Sequence, residues 1–312
     1  MQSTRIPALA FATPRKLPRP SDVDGKVVVL DVAFASEASG GGFEKLTKPF
    51  IEGLGSRLVM WVDHHDHDLH AKYATDARFV LRTKAQHGAC PEMITPELVS
   101  RVGPVDTVVC HVDFDGLCSA AKWIRGGHEP YPGSDDDARA IDTRIGVPSA
   151  VAVRMDRALR ARGRDTALLG LIVRHLSIGL VDASLWKPID EAGATLAVME
   201  KETRTIAERY ASLTLSGVAG PRSAVWVEAT ESHGRYDKTM LLLMGQERAD
   251  IAILLDRDTL SLAAPFNSGF NFLSILGLSG GMPTLVSVPR ARLSDTLARL
   301  GASPADMARI VG

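Results

Sequence analysis

The chain has 312 residues, 45% hydrophobic and 23% charged, with a formal net charge of −1. That is an ordinary globular composition with room for two cored domains, and its charge balance excludes a general basic surface for long duplex DNA or an anionic membrane. Cys90, Cys110 and Cys118 are odd in number and lack CxxC spacing, which argues against a disulfide framework or zinc knuckle and fits a reducing cytoplasm.

Residues 1–22 read as a flexible leader, because the apolar stretch 7–12 is too short for a signal sequence and Pro14, Pro18 and Pro20 follow it. No run approaches the roughly 18 apolar residues that a membrane span needs. After the turn-forming Asp24-Gly25, residues 26–31 predict a buried strand ending in the acid Asp31. A glycine loop at 40–42 and a helix over 43–53 carry the chain to Leu58, Val59 and Met60, which run into Trp61-Val62-Asp63-His64-His65-Asp66-His67-Asp68. An apolar run that breaks into acids and imidazoles predicts a buried strand whose C-terminal end opens into a cleft, where open α/β sheets bind ligands. The order strand, helix, strand is that of a parallel sheet. His67, Asp68 and His70 read as a solvated continuation.

A basic segment follows with Arg78, Arg82, Lys84 and His87, then a helix over 96–102 behind the N-cap Thr95. The next apolar run, Val108-Val109-Cys110, breaks into His111-Val112-Asp113-Phe114-Asp115-Gly116. Alternation at period two sends His111, Asp113 and Asp115 to one side of a strand, and Gly116 frees the backbone to turn. A helix over 117–125 opens directly at this acidic loop, and its N-terminus, near Ser119, can receive a phosphate oxygen. Carboxylates mixed with imidazoles and no thiolate suit manganese or magnesium better than structural zinc, and two such clusters predict two ions.

Residues 129–141 read as a loop, with Asp135-Asp136-Asp137 a solvated turn rather than a metal site. Ser149 caps a helix reaching about Arg162. A second helix over 166–179, with His175 as a core histidine on its apolar face, ends at Leu180-Val181-Asp182. Residues 188–213 predict one long helix with Ile189, Ala192, Leu196, Met199, Ile206 and Tyr210 at helical spacing. Strands over 223–229, 251–255 and 260–264 and a helix over 238–244 suffice for a small α/β domain. Arg222, His233, Arg235 and Lys238 read equally well as phosphate contacts and as scattered surface charge. The stretch from Phe272 to Pro283 contains Ser279-Gly280-Gly281-Met282.

His111-x-Asp113-x-Asp115-Gly116-x-x-Ser119 and Asp63-His64-His65 together closely resemble the motifs of the DHH phosphoesterases. That superfamily contains RecJ-type exonucleases, short-oligonucleotide and cyclic-dinucleotide hydrolases, and family II inorganic pyrophosphatases. The resemblance spans nearly all of residues 26–290, with the motif order permuted: the H-x-D-x-D-G stretch comes third here and first in the relatives. It implies an α/β fold, with a doubly wound, mostly parallel catalytic domain over 23–186, a connecting helix over 187–213, and a smaller α/β substrate-binding domain over 214–312.

By the same resemblance His111, Asp113 and Asp31 hold a first metal, and Asp115, His64, Asp182 and the shared Asp31 a second. The permuted order leaves open that another acid, such as Asp142, fills the place of Asp31 or Asp182. His65 contacts the scissile phosphate or orients a ligand, and Asp63 ties down an imidazole. Ser279-Gly280-Gly281 resembles a glycine-rich GGGH signature, with Met282 where that signature has histidine. Ser279, Gly280 and Gly281, with Ser119, are then the residues expected at a substrate's phosphate or terminal nucleotide.

The implied cofactor is manganese, two ions, with magnesium or cobalt able to replace it. The implied reaction is hydrolysis of short oligonucleotides or dinucleotides by metal-activated water. Two other readings stay open. One is a pyrophosphatase, although no Arg-Lys-Lys-rich signature of the pyrophosphatase C-terminal domain is present. The other is a nucleotide-binding regulatory module without turnover. The sequence leaves the oligomeric state, a homodimer included, undecided.

Overall fold

The computed structural model describes residues 6–36, 41–217, 222–232 and 236–311, and the chain divides into two compact units that meet in sequence at Leu196 and Ala197. The first unit contains β1 (Ala8–Ala12), β2 (Val27–Leu30), α1 (Gly42–Lys45), α2 (Thr47–Leu54), β3 (Leu58–Asp63), α3 (His70–Tyr73), β4 (Phe79–Leu81) and α4 (Pro96–Val102). It continues through β5 (Thr107–His111), α5 (Phe114–Ile124), α6 (Ser134–Thr143), α7 (Ala150–Arg162), α8 (Thr166–Ser177) and α9 (Trp186–Ala194).

Its sheet has the order β1-β5-β2-β3-β4, and every neighbouring pair is parallel. Side chains alternate across a strand, and here both faces are covered. Val28 and Leu30 pack with Val108, Cys110 and residues of α5, α7 and α8, such as Leu117, Met155 and Ile172. Val27 and Val29 pack on the opposite face with Trp61, Val109 and residues of α1 and α2, such as Phe43, Phe50 and Leu54. The fold is thus a doubly wound parallel α/β sheet, as the apolar runs predict.

Three local expectations are corrected. Within the supposed leader, Ala8–Ala12 is the edge strand β1, in register with Thr107–His111 and anchored by Ala8 N–H donating to the Asp106 carbonyl at 2.8 Å. The prolines that argue for a leader, Pro14, Pro18 and Pro20, all lie beyond the strand and cost its ladder nothing. The acidic stretch 135–137 lies in the first turn of α6, where negative charge meets the positive end of the helix dipole and Gly133 turns the chain in with φ 84°. Ala138 and Ile141 bury the other face of α6.

The long helix over 188–213 is in fact three elements. After α9, Thr195 bonds back to the Ala192 carbonyl with its hydroxyl at 2.7 Å; α10 (Leu196–Ala207) begins anew, and β6 (Ala211–Leu215) follows.

The second unit contains α10, β6, β7 (Arg222–Glu228), α11 (Lys238–Gln246), β8 (Ile251–Leu255), β9 (Thr259–Ala263), α12 (Phe272–Leu276), β10 (Leu285–Pro289), α13 (Leu293–Arg299) and α14 (Pro304–Val311). Its sheet runs β10-β9-β8-β7-β6, parallel between β7 and β8 and antiparallel elsewhere. Ile251, Ile253 and Leu255 face one apolar cluster while Ala252 and Leu254 face another, so this smaller sheet is also buried on two sides. No helix among the described residues is long and apolar enough to cross a membrane.

Candidate metal centre

The three strands β5, β2 and β3 are neighbours, with β2 in the middle. Their C-terminal ends deliver His111 from β5, Asp31 just after β2, and Asp63-His64-His65 at the end of β3. Strands lie about 4.8 Å apart, so side chains at adjacent strand ends reach one another, and the middle one reaches both sides. His64 Nε2 is 3.2 Å from Asp31 Oδ1, and His111 Nδ1 is 3.7 Å from Asp31 Oδ2.

Asp31 takes the left-handed conformation with φ 60°, a strained geometry that aspartate tolerates better than most residues. Its N–H donates to the Val62 carbonyl at 2.8 Å, fixing the turn against β3. The side chain is 0% exposed, yet neither carboxylate oxygen makes a well-aligned hydrogen bond. Burial, then the negative charges of Asp115 and Asp113, raise its pKa well above the ordinary carboxylate value.

His111, Asp113 and Asp115 converge by a route different from strand alternation. The strand stops at His111, and Asp113 becomes the N-cap of α5, its Oδ1 accepting from Gly116 N–H at 3.3 Å. Asp115 occupies the first turn of that helix, with Oδ2 3.3 Å from His64 Nε2. Gly116 serves close approach: a Cβ there would stand 2.7 Å from the His111 carbonyl oxygen and 2.8 Å from its Cβ. His111 Nδ1 lies 2.6 Å from Asp113 Oδ2, a contact too poorly aligned to count as a hydrogen bond. Burial works against a charged His111 ring, but Asp113 and Asp31 push its pKa up to about 10.

Three groups of donor atoms result, the atoms of each lying within 4.8 Å of one another: Asp31, His64 and His65; Asp31, His111 and Asp113; His64, Asp115 and Asp142. Asp31 belongs to two groups and His64 to two. The acid that joins His64 and Asp115 is Asp142, on α6. Asp182 is in none of the groups; its Oδ1 caps a short 3-10 turn, accepting from Ser184 N–H at 3.0 Å and from the Ser184 hydroxyl at 2.6 Å. The local context of Asp182, an acid after an apolar helix, is a capping context as much as a ligating one.

His64 and His65 are each held through Nδ1. His64 Nδ1 lies 2.9 Å from the His87 carbonyl, to which it can only donate, so in the neutral ring Nε2 carries a lone pair facing the acids. His65 Nδ1 lies 2.8 Å from Asp63 Oδ1, and Asp63 is wholly buried. Lys84, 2% exposed, places Nζ 3.1 Å from His64 Nε2 and in contact with the Asp142 carboxylate. Burial opposes its charge, but Asp142, Asp115 and Asp31 keep the ammonium protonated. The sequence supplies Lys84 only as one member of a basic segment, with nothing to show that it turns inward.

The donor set fits a divalent cation. A wholly buried carboxylate without a hydrogen-bond partner costs several kcal/mol, and Asp31 sits in that condition beside two imidazoles and further acids. Oxygen and imidazole donors without sulfur suit manganese, magnesium or cobalt.

The other predicted positions are dispersed. Ser119 is 0% exposed inside α5, away from any solvent-borne ligand. His67 and His70 are not solvated; their rings lie 5.6 and 5.2 Å from that of Phe34, and burial lowers both pKa values. His175 packs in the core with its ring 4.6 Å from Trp186.

In the second unit Ser279 precedes Gly280 and Gly281, whose φ values of 82° and 121° only glycine adopts freely, in the turn before β10. Arg222 stands over Phe270 at 5.3 Å and lines a pocket with Ser268 and Asn271. Lys238 Nζ donates to Ser287 Oγ at 2.9 Å. His233 and Arg235 lie outside the described residues.

No family model and no curated protein matches the chain. Among solved structures, the crystal structure of exonuclease RecJ bound to manganese aligns with 91% of this chain and 76% of its own, at 14% identity and a TM-score of 0.46. A likeness of that degree says nothing about the chemistry of this chain, whose donor groups speak for themselves.

Proposed function

We propose that this chain is a divalent-metal-dependent phosphodiesterase acting on short oligonucleotides or dinucleotides. The observation that carries the reading is Asp31: fully buried, without hydrogen-bond partners, and set between His64 on one neighbouring strand and His111 on the other. Asp31, His111 and Asp113 would hold the cation. When bound, such an ion polarises a phosphoryl oxygen and lowers the pKa of a water toward neutrality.

The protein's own part is orientation. Asp63 fixes the His65 ring through Nδ1, leaving the other ring nitrogen to meet a phosphate oxygen, and the ring is 17% exposed, enough to be reached from solvent. His87 fixes His64 in the same manner through its carbonyl. The glycines of the second unit support a phosphate-bearing substrate, since Gly280 and Gly281 hold backbone conformations that can turn amides outward toward an anion.

The test is chromatography of products after incubation with manganese and either a linear dinucleotide or pyrophosphate. Nucleoside monophosphates from the dinucleotide, with pyrophosphate intact, are expected. Release of phosphate from pyrophosphate alone would favour the phosphoanhydride hydrolase. No turnover of either, together with a nucleotide-dependent rise in Tm, would favour a binding module.

A further inference from the structure

Lys84 follows β4 by a short connection and turns into the interior, where an ammonium is tolerated only when acceptors surround it. Its acceptors are members of one donor group. Nζ approaches His64 Nε2 at 3.1 Å and the Asp142 carboxylate directly, and Asp115 Oδ2 lies 3.3 Å from the same His64 nitrogen. His64 Nδ1 lies 2.9 Å from the His87 carbonyl, so in the neutral ring the lone pair on Nε2 is turned toward the lysine. The lysine backbone is held as well, its N–H donating to Asp66 Oδ2 at 3.4 Å.

The opposite side of Asp31 has no such occupant: His111 Nδ1 and both Asp31 oxygens lack aligned partners. One half of the constellation thus has a cation supplied by the chain itself, and in the other the donors of Asp31, His111 and Asp113 face one another.

We propose that the Lys84 ammonium stands in the place of a second metal ion, so that the centre takes a single divalent cation on Asp31, His111 and Asp113 while His64 and Asp142 hold Nζ, with Asp115 beside them on His64. The proposal rests on the metal-centre reading above and departs from the two-ion arrangement that the motifs imply. A divalent ion and an ammonium cannot share donors set this closely without strong repulsion, so the lysine excludes the second ion as well as replacing it.

The experiment counts manganese. The metal-free full-length chain is loaded with manganese in slight excess and desalted; bound metal is measured by elemental analysis and its spin coupling by EPR. One ion per chain with an uncoupled six-line spectrum is expected. In Lys84→Met, of similar length and without charge, a second ion and an exchange-coupled spectrum are expected.

Two coupled ions in the unmodified chain, or a single ion persisting in Lys84→Met, would overturn the role of Lys84 and leave the metal centre standing. No bound manganese in either protein would overturn both. Should Lys84→Met fail to fold, the count and spectrum of the unmodified chain decide the matter alone.

Discussion

The two sides of Asp31 are built from the same residue types and end in different states. Toward β5, His111 and Asp113 face it with His111 Nδ1 lacking an aligned partner. Toward β3, His64 and Asp142 contact the buried ammonium of Lys84, and Asp115 faces the same His64 nitrogen. The difference teaches that a cluster of acids and imidazoles is not by itself a vacancy for metal. What decides is whether the charge has already been answered from within the chain, and that depends on one side chain arriving from a neighbouring loop.

The largest effect should come from Asp31, which belongs to both halves of the comparison. Asp31→Asn keeps a residue that accepts φ near 60° and removes the charge, so the fold should survive while hydrolysis falls by at least about a thousandfold, or about 4 kcal/mol in the barrier. Circular dichroism and a dinucleotide assay with manganese check this. Activity within tenfold of the unmodified chain would break the assignment. Asp113→Asn, which keeps a cap for α5, should abolish turnover in the same assay without unfolding the chain.

A sharper test separates the two candidates for one acidic place. Asp142→Ala leaves the Lys84 ammonium buried without its carboxylate, and removing one partner of a buried pair costs about 3–5 kcal/mol. Asp182→Ala removes only a cap on an exposed turn, a much smaller loss. Urea denaturation of the two variants should therefore differ several-fold in lost stability, and a reversed order would restore Asp182 to the centre.

These residues also mark what a sequence can and cannot disclose. Asp31, His64, His111, Asp113 and Asp115 are legible because each follows an apolar run that breaks abruptly, the signature of a strand entering a cleft. Their meeting is not legible, because it depends on β2 lying between β5 and β3, an order that no single run encodes. Asp142 is legible only as an open alternative: α6 opens with acids and follows Pro130, Pro132 and Gly133, so it reads as a loop until its buried Ala138 and Ile141 are seen. In the second unit β7, β8 and β9 are legible as apolar runs. The edge strand β6, with alternate residues exposed, passes for the end of a helix, and β10 offers only the short alternation of Val286 and Val288 before Pro289.

A smaller effect tests how closely the helix start must press on His111. Gly116→Ala puts a methyl group 2.7 Å from the His111 carbonyl oxygen, inside any real contact distance, so the first turn of α5 or the end of β5 must give way. Overpacking of this kind costs about 1–3 kcal/mol. Because the displaced residues are His111 and its neighbours rather than Lys84, manganese affinity measured by calorimetry should weaken along with stability. Stability lost with manganese affinity unchanged would mean that the glycine serves packing alone and that the ligands on that side are not set by the approach of α5.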